Sequence, residues 1–95
     1  MSLVREVEML SHAYARKGGK DNRRQQRARM IAFATHAEAM GARSMAQVGK
    51  AHVIGYWKAH RELTPSTAYN HWLALCVLWK LANKAGTPPE PKQSS

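Results

Sequence analysis

Cysteine and long apolar runs are scarce in this chain of 95 residues. The single cysteine, Cys76, excludes an internal disulfide and gives no framework for a metal site. It lies in an apolar run, so we expect a buried structural thiol. No uninterrupted apolar stretch reaches the ~18 residues of a membrane span, and the amino end lacks the pattern of a signal peptide. These absences predict a soluble intracellular protein with no membrane partner.

Motifs of catalysis and cofactor binding are also missing. The six carboxylates are scattered singly, and there is no glycine-rich phosphate loop, nucleophile elbow or carboxylate pair. The five histidines include no i, i+4 pair and have no cysteine partners at ligand spacing. One of them, His71, falls on the apolar side of its helix and is expected to be a hydrogen-bonded core residue. The sequence therefore predicts no catalytic site, no cofactor and no metal.

Acidic residues are few relative to basic ones. Fifteen Lys and Arg against six Asp and Glu give a formal net charge of +9. Such an excess favours a polyanionic partner, nucleic acid first. A membrane surface, an acidic protein or plain solubility are the alternatives. The 44% hydrophobic content is typical of a globular chain, and the length suits a single domain.

Apolar periodicity predicts two helices in the first half of the chain. The first runs from Leu3 to Lys17 and ends at Gly18-Gly19, since glycine tolerates the turn that closes a helix. The second starts at an N-cap on Asp21 or Asn22 and runs to about Met40. The residues expected inside are Leu3, Val7, Leu10 and Tyr14 in the first helix, and Met30, Phe33, Ala34, Ala37 and Met40 in the second.

Two further helices are predicted in the second half. One spans about Ala46 to Arg61; the other is capped by Thr64, has Pro65 in its first turn, and ends near Lys84 or Ala85 before Gly86. The residues expected inside are Val48, Val53, Tyr56 and Trp57, then Trp72, Leu75, Leu78, Trp79 and Ala82. With no strand pattern, the fold class is all-α, a compact four-helix domain over residues 1–86. Residues 87–95 are expected to form a Pro-rich linker or disordered tail.

The densest charge lies between Arg16 and Arg29. Seven of these fourteen residues are basic and only Asp21 is acidic. On a helix, the cations cluster along one edge, where their repulsion would be relieved by a phosphate backbone. Glutamine between arginines also suits base readout in the major groove. The candidate residues are Lys20, Arg23, Arg24, Gln25 and Arg27, and a merely solvated basic face is the alternative.

The fourth helix has a polar edge opposite its apolar face. At 100° per residue, Ser66, Asn70, Lys80 and Lys84 share this edge. Polar donors at the first turn and lysines further along would allow the helix to lie against DNA with its amino end toward the groove. The alternative is a helix with one solvated edge.

Three stretches of the chain carry a pattern of residue types beyond these helices. A basic helix start leads into an apolar helix over residues 22–33, and a short link leads into a helix over 44–48 and 53–57. A closing helix starts at Ser66-Thr67, has spaced Leu and aromatic residues, and ends in Ala85-Gly86 before Pro88. From Lys20 to Pro91 the chain thereby resembles the core-binding domain of phage integrases and other tyrosine recombinases.

The resemblance implies a SAM-like orthogonal bundle that contacts one side of duplex DNA during site-specific recombination or DNA integration. In the family, the starts of the second and fourth helices face the DNA. By position these are Arg23, Arg24, Gln25 and Arg27, then Ser66, Thr67 and Asn70. A prokaryotic cell, a phage or a plasmid is the implied setting, and other recombinase subunits are implied partners.

The catalytic residues of the family belong to a separate carboxy-terminal domain, to which no part of this sequence corresponds. The chain is therefore expected not to be an enzyme by itself. It is either a domain cut from a recombinase or a small protein with only the DNA-binding half, and the sequence leaves both open. A basic helical module that binds an acidic protein is the alternative function.

Overall fold

Four α-helices and one turn of 3₁₀ helix make up the regular structure of the described residues. The computed structural model describes residues 2–17 and 20–91, with Lys20 described in its backbone alone, and within these ranges there is no strand. The helices are α1 (Leu3–Arg16), α2 (Lys20–Ala39), α3 (Lys50–Ala59) and α4 (Pro65–Leu81), and the 3₁₀ turn is Met45–Gln47. The predicted all-α, four-helix fold is confirmed.

Helix α1 begins at a serine cap and buries one stripe. Ser2 accepts a hydrogen bond from the Arg5 amide at 3.1 Å, which satisfies one of the amide groups left without an intrahelical partner. Of the predicted stripe, Leu3 and Val7 are fully buried, while Leu10 and Tyr14 are partly buried against the core. The predicted stop at Gly18-Gly19 lies outside the described residues.

Helix α2 begins earlier than predicted and ends within one residue of the predicted end. Its first residue is Lys20, so Asp21 lies in the first turn and does not cap the helix. At the other end, Gly41 adopts φ 106°, which favours glycine, and closes the helix after Ala39. The expected burial of Met40 is therefore wrong: it follows the last helical turn and is 48% exposed. The other four predicted core residues are buried: Met30, Phe33, Ala34 and Ala37.

Helix α3 is shorter than predicted because Gly49 caps it. Val48 and Gly49 are extended, and the Gly49 amide donates to Nδ1 of His52 at 3.0 Å. A helix from about Ala46 to Arg61 is therefore wrong; the first part is the 3₁₀ turn, and α3 ends at Ala59. Its predicted core residues Val48, Val53 and Tyr56 are buried, and Trp57 is partly buried.

Helix α4 starts as predicted and ends three or four residues earlier than predicted. Thr64 Oγ1 accepts a hydrogen bond from the Thr67 amide at 3.2 Å, and Pro65 occupies the first turn. The helix ends at Leu81, and the chain reverses through Asn83, which adopts the left-handed φ of 62° that asparagine tolerates. Predicted core residues Leu75, Leu78 and Trp79 are buried, whereas Trp72 and Ala82 are only partly so.

The core is centred on Phe33 of α2. Its ring meets Tyr56 of α3 edge to face at 5.5 Å between centroids, and Trp79 of α4 at 6.3 Å. Such aromatic pairs contribute about 0.5–1.5 kcal/mol each beyond the area they bury. The side chain of Phe33 therefore contacts both α3 and α4, the two carboxy-terminal helices.

The segment after α4 is docked on the domain. Residues 87–91 have no regular structure, which agrees with the expectation for a proline-rich stretch. The indole of Trp72 donates to the Pro88 carbonyl at 2.9 Å and that of Trp57 to the Pro89 carbonyl at 3.0 Å, with Pro88 buried. These contacts, which the sequence did not predict, join residues 87–91 to α3 and α4. Residues 92–95 of the predicted linker or tail lie outside the described residues.

Candidate nucleic-acid interface

The amino-terminal half of α2 places its candidate residues in two environments. Arg24 and Gln25 are exposed, whereas Arg23 and Arg27 are half-buried against α1. The side chain of Lys20 lies outside the described part of the chain. The basic stretch is therefore not a uniformly solvated face, because two of its cations have a second role inside the protein.

Arg27 is held by the middle of α1. Its Nε donates to Ser11 Oγ and its Nη2 to the Glu8 carbonyl, each at 3.0 Å. Ser11 is fully buried and donates its own hydroxyl to the Val7 carbonyl at 2.6 Å. An arginine has five N–H donors, so these two bonds orient the guanidinium and leave donors for a ligand. Ser11 was missed in the sequence, where a serine on an apolar stripe gives no signal.

Arg23 is held by the carboxyl end of α1. Its Nη1 donates to the Tyr14 carbonyl at 3.1 Å, and its guanidinium carbon lies 4.4 Å from the Tyr14 ring centroid. A cation at this end of a helix meets exposed carbonyls and the negative end of the dipole, and over the ring it gains a cation–π contact. Arg23 thus stabilises the α1–α2 pair, and part of its donor capacity is already used.

The first turn of α4 has one freely exposed candidate. Ser66 is exposed, and Asn70 is half-buried one turn further on. Thr67 is engaged in the cap, since its hydroxyl oxygen accepts from Thr64 Oγ1 at 2.9 Å. Ser66 and Asn70 therefore retain the most side-chain hydrogen-bonding capacity at this end.

The two lysines of the predicted polar edge lie apart from that first turn. Lys80 is exposed, but fourteen residues of helix, roughly 21 Å, separate it from Ser66. Lys84 is not on a solvated edge: its Nζ donates to the Met45 carbonyl at 2.9 Å and lies 5.4 Å from the Trp79 ring centroid. The expectation for Lys84 is wrong because α4 ends at Leu81, so the helical angle no longer applies.

The charge of Arg29, in the basic half of α2, acts on side chains of α3 and α4. Arg29 is half-buried, donates to the Gln26 amide oxygen at 3.4 Å, and its charge acts on both His71 of α4 and Tyr56 of α3. His71 directly follows Asn70, so this electrostatic influence reaches the second turn of α4. The sequence placed Arg29 in the basic stretch but did not single it out.

Three histidines surround Tyr56 of α3. The Tyr56 hydroxyl is hydrogen-bonded to Nδ1 of His71 at 3.0 Å, and the rings of His36 and His60 lie 5.5 and 4.4 Å from the Tyr56 ring. The expected hydrogen bond of His71 is thus confirmed, whereas its expected place in the core is not, since His71 is only half-buried. Nε2 of His36 is buried and has no hydrogen-bond partner among the described residues.

Burial sets the protonation of this histidine cluster. It lowers the pKa of His71, with the charges of Arg29 and His60 acting in the same direction. It also lowers the pKa of His36, where His60 and His52 add to the effect, and it raises the pKa of Tyr56 to about 12. His36, His71 and Tyr56 are therefore neutral near pH 7. Within residues 2–17 and 20–91, no group of three or more His, Cys, Asp or Glu is placed to hold a metal ion.

Cys76 is half-buried, and burial raises the pKa of its thiol, so it is a poor nucleophile near neutral pH. The charges of Lys80 and Glu90 act on the same thiol in opposite directions, Lys80 lowering and Glu90 raising its pKa.

None of the described helices is long and apolar enough to cross a membrane. No family model, curated protein or solved structure matches the chain.

Proposed function

We propose that the chain is a DNA-binding module of the kind found in tyrosine recombinases, acting in site-specific recombination or DNA integration without catalytic residues of its own. The observation that carries the proposal is that exposed Arg24 and Gln25 lie on the same helix as Arg27. The guanidinium of Arg27 is already oriented by its hydrogen bonds to Ser11 and Glu8. A cation held in place before binding loses less conformational entropy on contact with a phosphate.

The charge of the surroundings supports a polyanion as partner. The stretch from Arg16 to Arg29 has seven basic residues and one acidic residue, and the whole chain has a net charge of +9. Like charges at this density raise the free energy of the isolated protein, and a DNA backbone offsets this cost while releasing its own counterions.

Base readout is assigned to polar side chains at two helix ends. Gln25 on α2 and Asn70 on α4 have amides that pair with adenine edges in the major groove, and Ser66 is a neutral donor to phosphate. The charge of Arg29 on α2 acts on His71 of α4, which supports an arrangement in which both helix starts address one face of a duplex. Lys80 is assigned at most a peripheral phosphate contact because of its distance from Ser66.

A titration of fluorescently labelled random duplex, followed by anisotropy at two salt concentrations with heparin as competitor, tests the proposal. Affinity that falls steeply as salt rises is expected, since each neutralised phosphate contributes a slope of about −0.9. Preference for duplex over heparin of equal charge separates DNA from a generic polyanion. The absence of duplex binding at low salt, with binding to an acidic protein instead, would replace the proposal by the protein-interaction alternative.

A further inference from the structure

An open groove runs between α1 and α2 on the side of Arg24. Its volume is about 550 Å³. Four nitrogen-bearing side chains line it: His12 and Arg16 from α1, and Arg24 and Arg27 from α2. None of the described residues that line it is acidic. Like-charged guanidinium groups thus face one cavity with no carboxylate between them, which favours an anion there.

One wall of the groove is prepared for a ligand. Arg27 is fixed by the Ser11 hydroxyl and the Glu8 carbonyl at 3.0 Å each, so its position does not depend on the ligand. The hydroxyl that holds it is itself buried and bonded to Val7. The cation is therefore placed by the packing of α1 on α2, two helices that run antiparallel.

The rest of the lining fits a nucleotide backbone. Ala28 and Ile31 provide a small apolar surface beside the cations, suited to the sugar next to a phosphate. His12, Arg16 and Arg24 are exposed, so a ligand can enter from solvent. A neighbouring groove shares His12 and Arg27 but is also lined by Arg5 and by the acidic residue Glu8, whose negative charge makes it less favourable for an anion.

We infer that the α1–α2 groove binds a backbone phosphate of duplex DNA, with Arg16 of α1 and Arg24 of α2 on either side of it and Arg27 beneath. The inference rests on the proposed function, which uses the starts of α2 and α4. It adds α1 to the surface that contacts DNA. Because Arg24 belongs to both sites, the groove is continuous with the face that presents Gln25.

Replacement of Arg16 by alanine, compared with Arg43→Ala, tests the inference. Both arginines are exposed, and both changes remove one positive charge. Arg43 follows the carboxyl end of α2, with roughly 22 Å of helix between Arg24 and Ala39, so it controls for net charge alone. Duplex affinity is measured by anisotropy over a series of salt concentrations, and folding by circular dichroism. If Arg16→Ala is not folded, Arg16→Gln takes its place.

Arg16→Ala is expected to weaken duplex binding several-fold more than Arg43→Ala, and to reduce the salt slope by about one. If the wild-type chain binds duplex and the two variants lose affinity equally, the groove is not a phosphate site, although the proposed function stands. If the wild-type chain does not bind duplex at low salt, the proposed function fails and the groove assignment fails with it.

Discussion

Ser11 of α1 and Arg27 of α2 are joined by a hydrogen bond of 3.0 Å that fixes a cation of the candidate interface from inside the protein. The serine is fully buried, and its hydroxyl also donates to the Val7 carbonyl. The Ser11 hydroxyl, in the apolar stripe of α1, thus fixes the position of the Arg27 guanidinium through the packing of α1 on α2.

Ser11→Ala is expected to lower the free energy of unfolding by about 1–2 kcal/mol, because the Arg27 Nε–H loses its acceptor in a partly buried position. Duplex affinity should also fall, since Arg27 is no longer held in place. Urea unfolding and DNA titration measure the two effects. Ser44→Ala is the matched control, because Ser44 caps the 3₁₀ turn without a side-chain bond. Unchanged stability in Ser11→Ala would show that the bond contributes little.

The helices could be predicted from the sequence where apolar periodicity is strong. The stripe of Met30, Phe33 and Ala37 is set by a spacing that only a helix brings to one face, and Thr64-Pro65 is a local start signal. These features depend on neighbours within a few residues.

The parts that were missed depend on contacts distant in sequence. Gly49 is predicted inside a helix and instead caps one. The 3₁₀ turn before it is held in part by the hydrogen bond that the Met45 backbone amide donates to Glu6 Oε1. The hydrogen bonds of Arg27 depend on how α1 and α2 are aligned against each other. The position of Pro88 depends on its hydrogen bond from the indole of Trp72. Basic residues were recognised as a group, but which of them are exposed follows from packing.

Arg24→Ala is expected to weaken binding to specific and random duplexes alike, because an exposed arginine with no hydrogen-bond partner among the described residues is available to contact phosphate. The salt slope should fall by about one, and thermal stability should not change. Anisotropy with both duplexes and a thermal melt check this outcome. A loss restricted to one DNA sequence would assign Arg24 to base readout instead.

Asn70→Ala is expected to reduce discrimination between a preferred site and random duplex. A bidentate amide–adenine pair contributes about 1–3 kcal/mol to specificity. The ratio of the two dissociation constants, once a preferred site has been selected from a random pool, is the quantity to compare. Equal losses on both duplexes would move Asn70 to the phosphate contacts.

The free energy of unfolding is expected to fall as the pH drops below the pKa of an ordinary histidine. Burial in the folded state lowers the pKa of His36 and His71 below the usual 6.5, so the unfolded chain takes up protons first. The free energy of unfolding should therefore be flat above about pH 6.5 and decrease below it. Urea unfolding across this range measures the effect. His36→Gln, which removes one titrating group, should make the decrease shallower, and an identical slope would exclude His36 as a source.

Trp72→Phe is expected to release the segment after α4, because the Pro88 carbonyl loses the indole donor that reaches it at 2.9 Å. The heteronuclear 1H–15N NOE of the Thr87 and Glu90 amides, measured by NMR on 15N-labelled protein, should therefore fall. Trp79→Phe is the control, since Trp79 lies in the core beside Phe33 and serves as a measure of general destabilisation. An equal decrease in both variants would mean that the tryptophan–proline contact does not hold the segment.

An NMR titration of the labelled chain with a short duplex decides whether the starts of α2 and α4 form one DNA-binding face. Amide shift changes are expected at Arg24, Gln25, Ser66 and Asn70, with little change at Trp57 and along residues 87–91. Changes confined to α3 and the docked segment, or no changes at low salt, would show that these helix starts do not bind DNA.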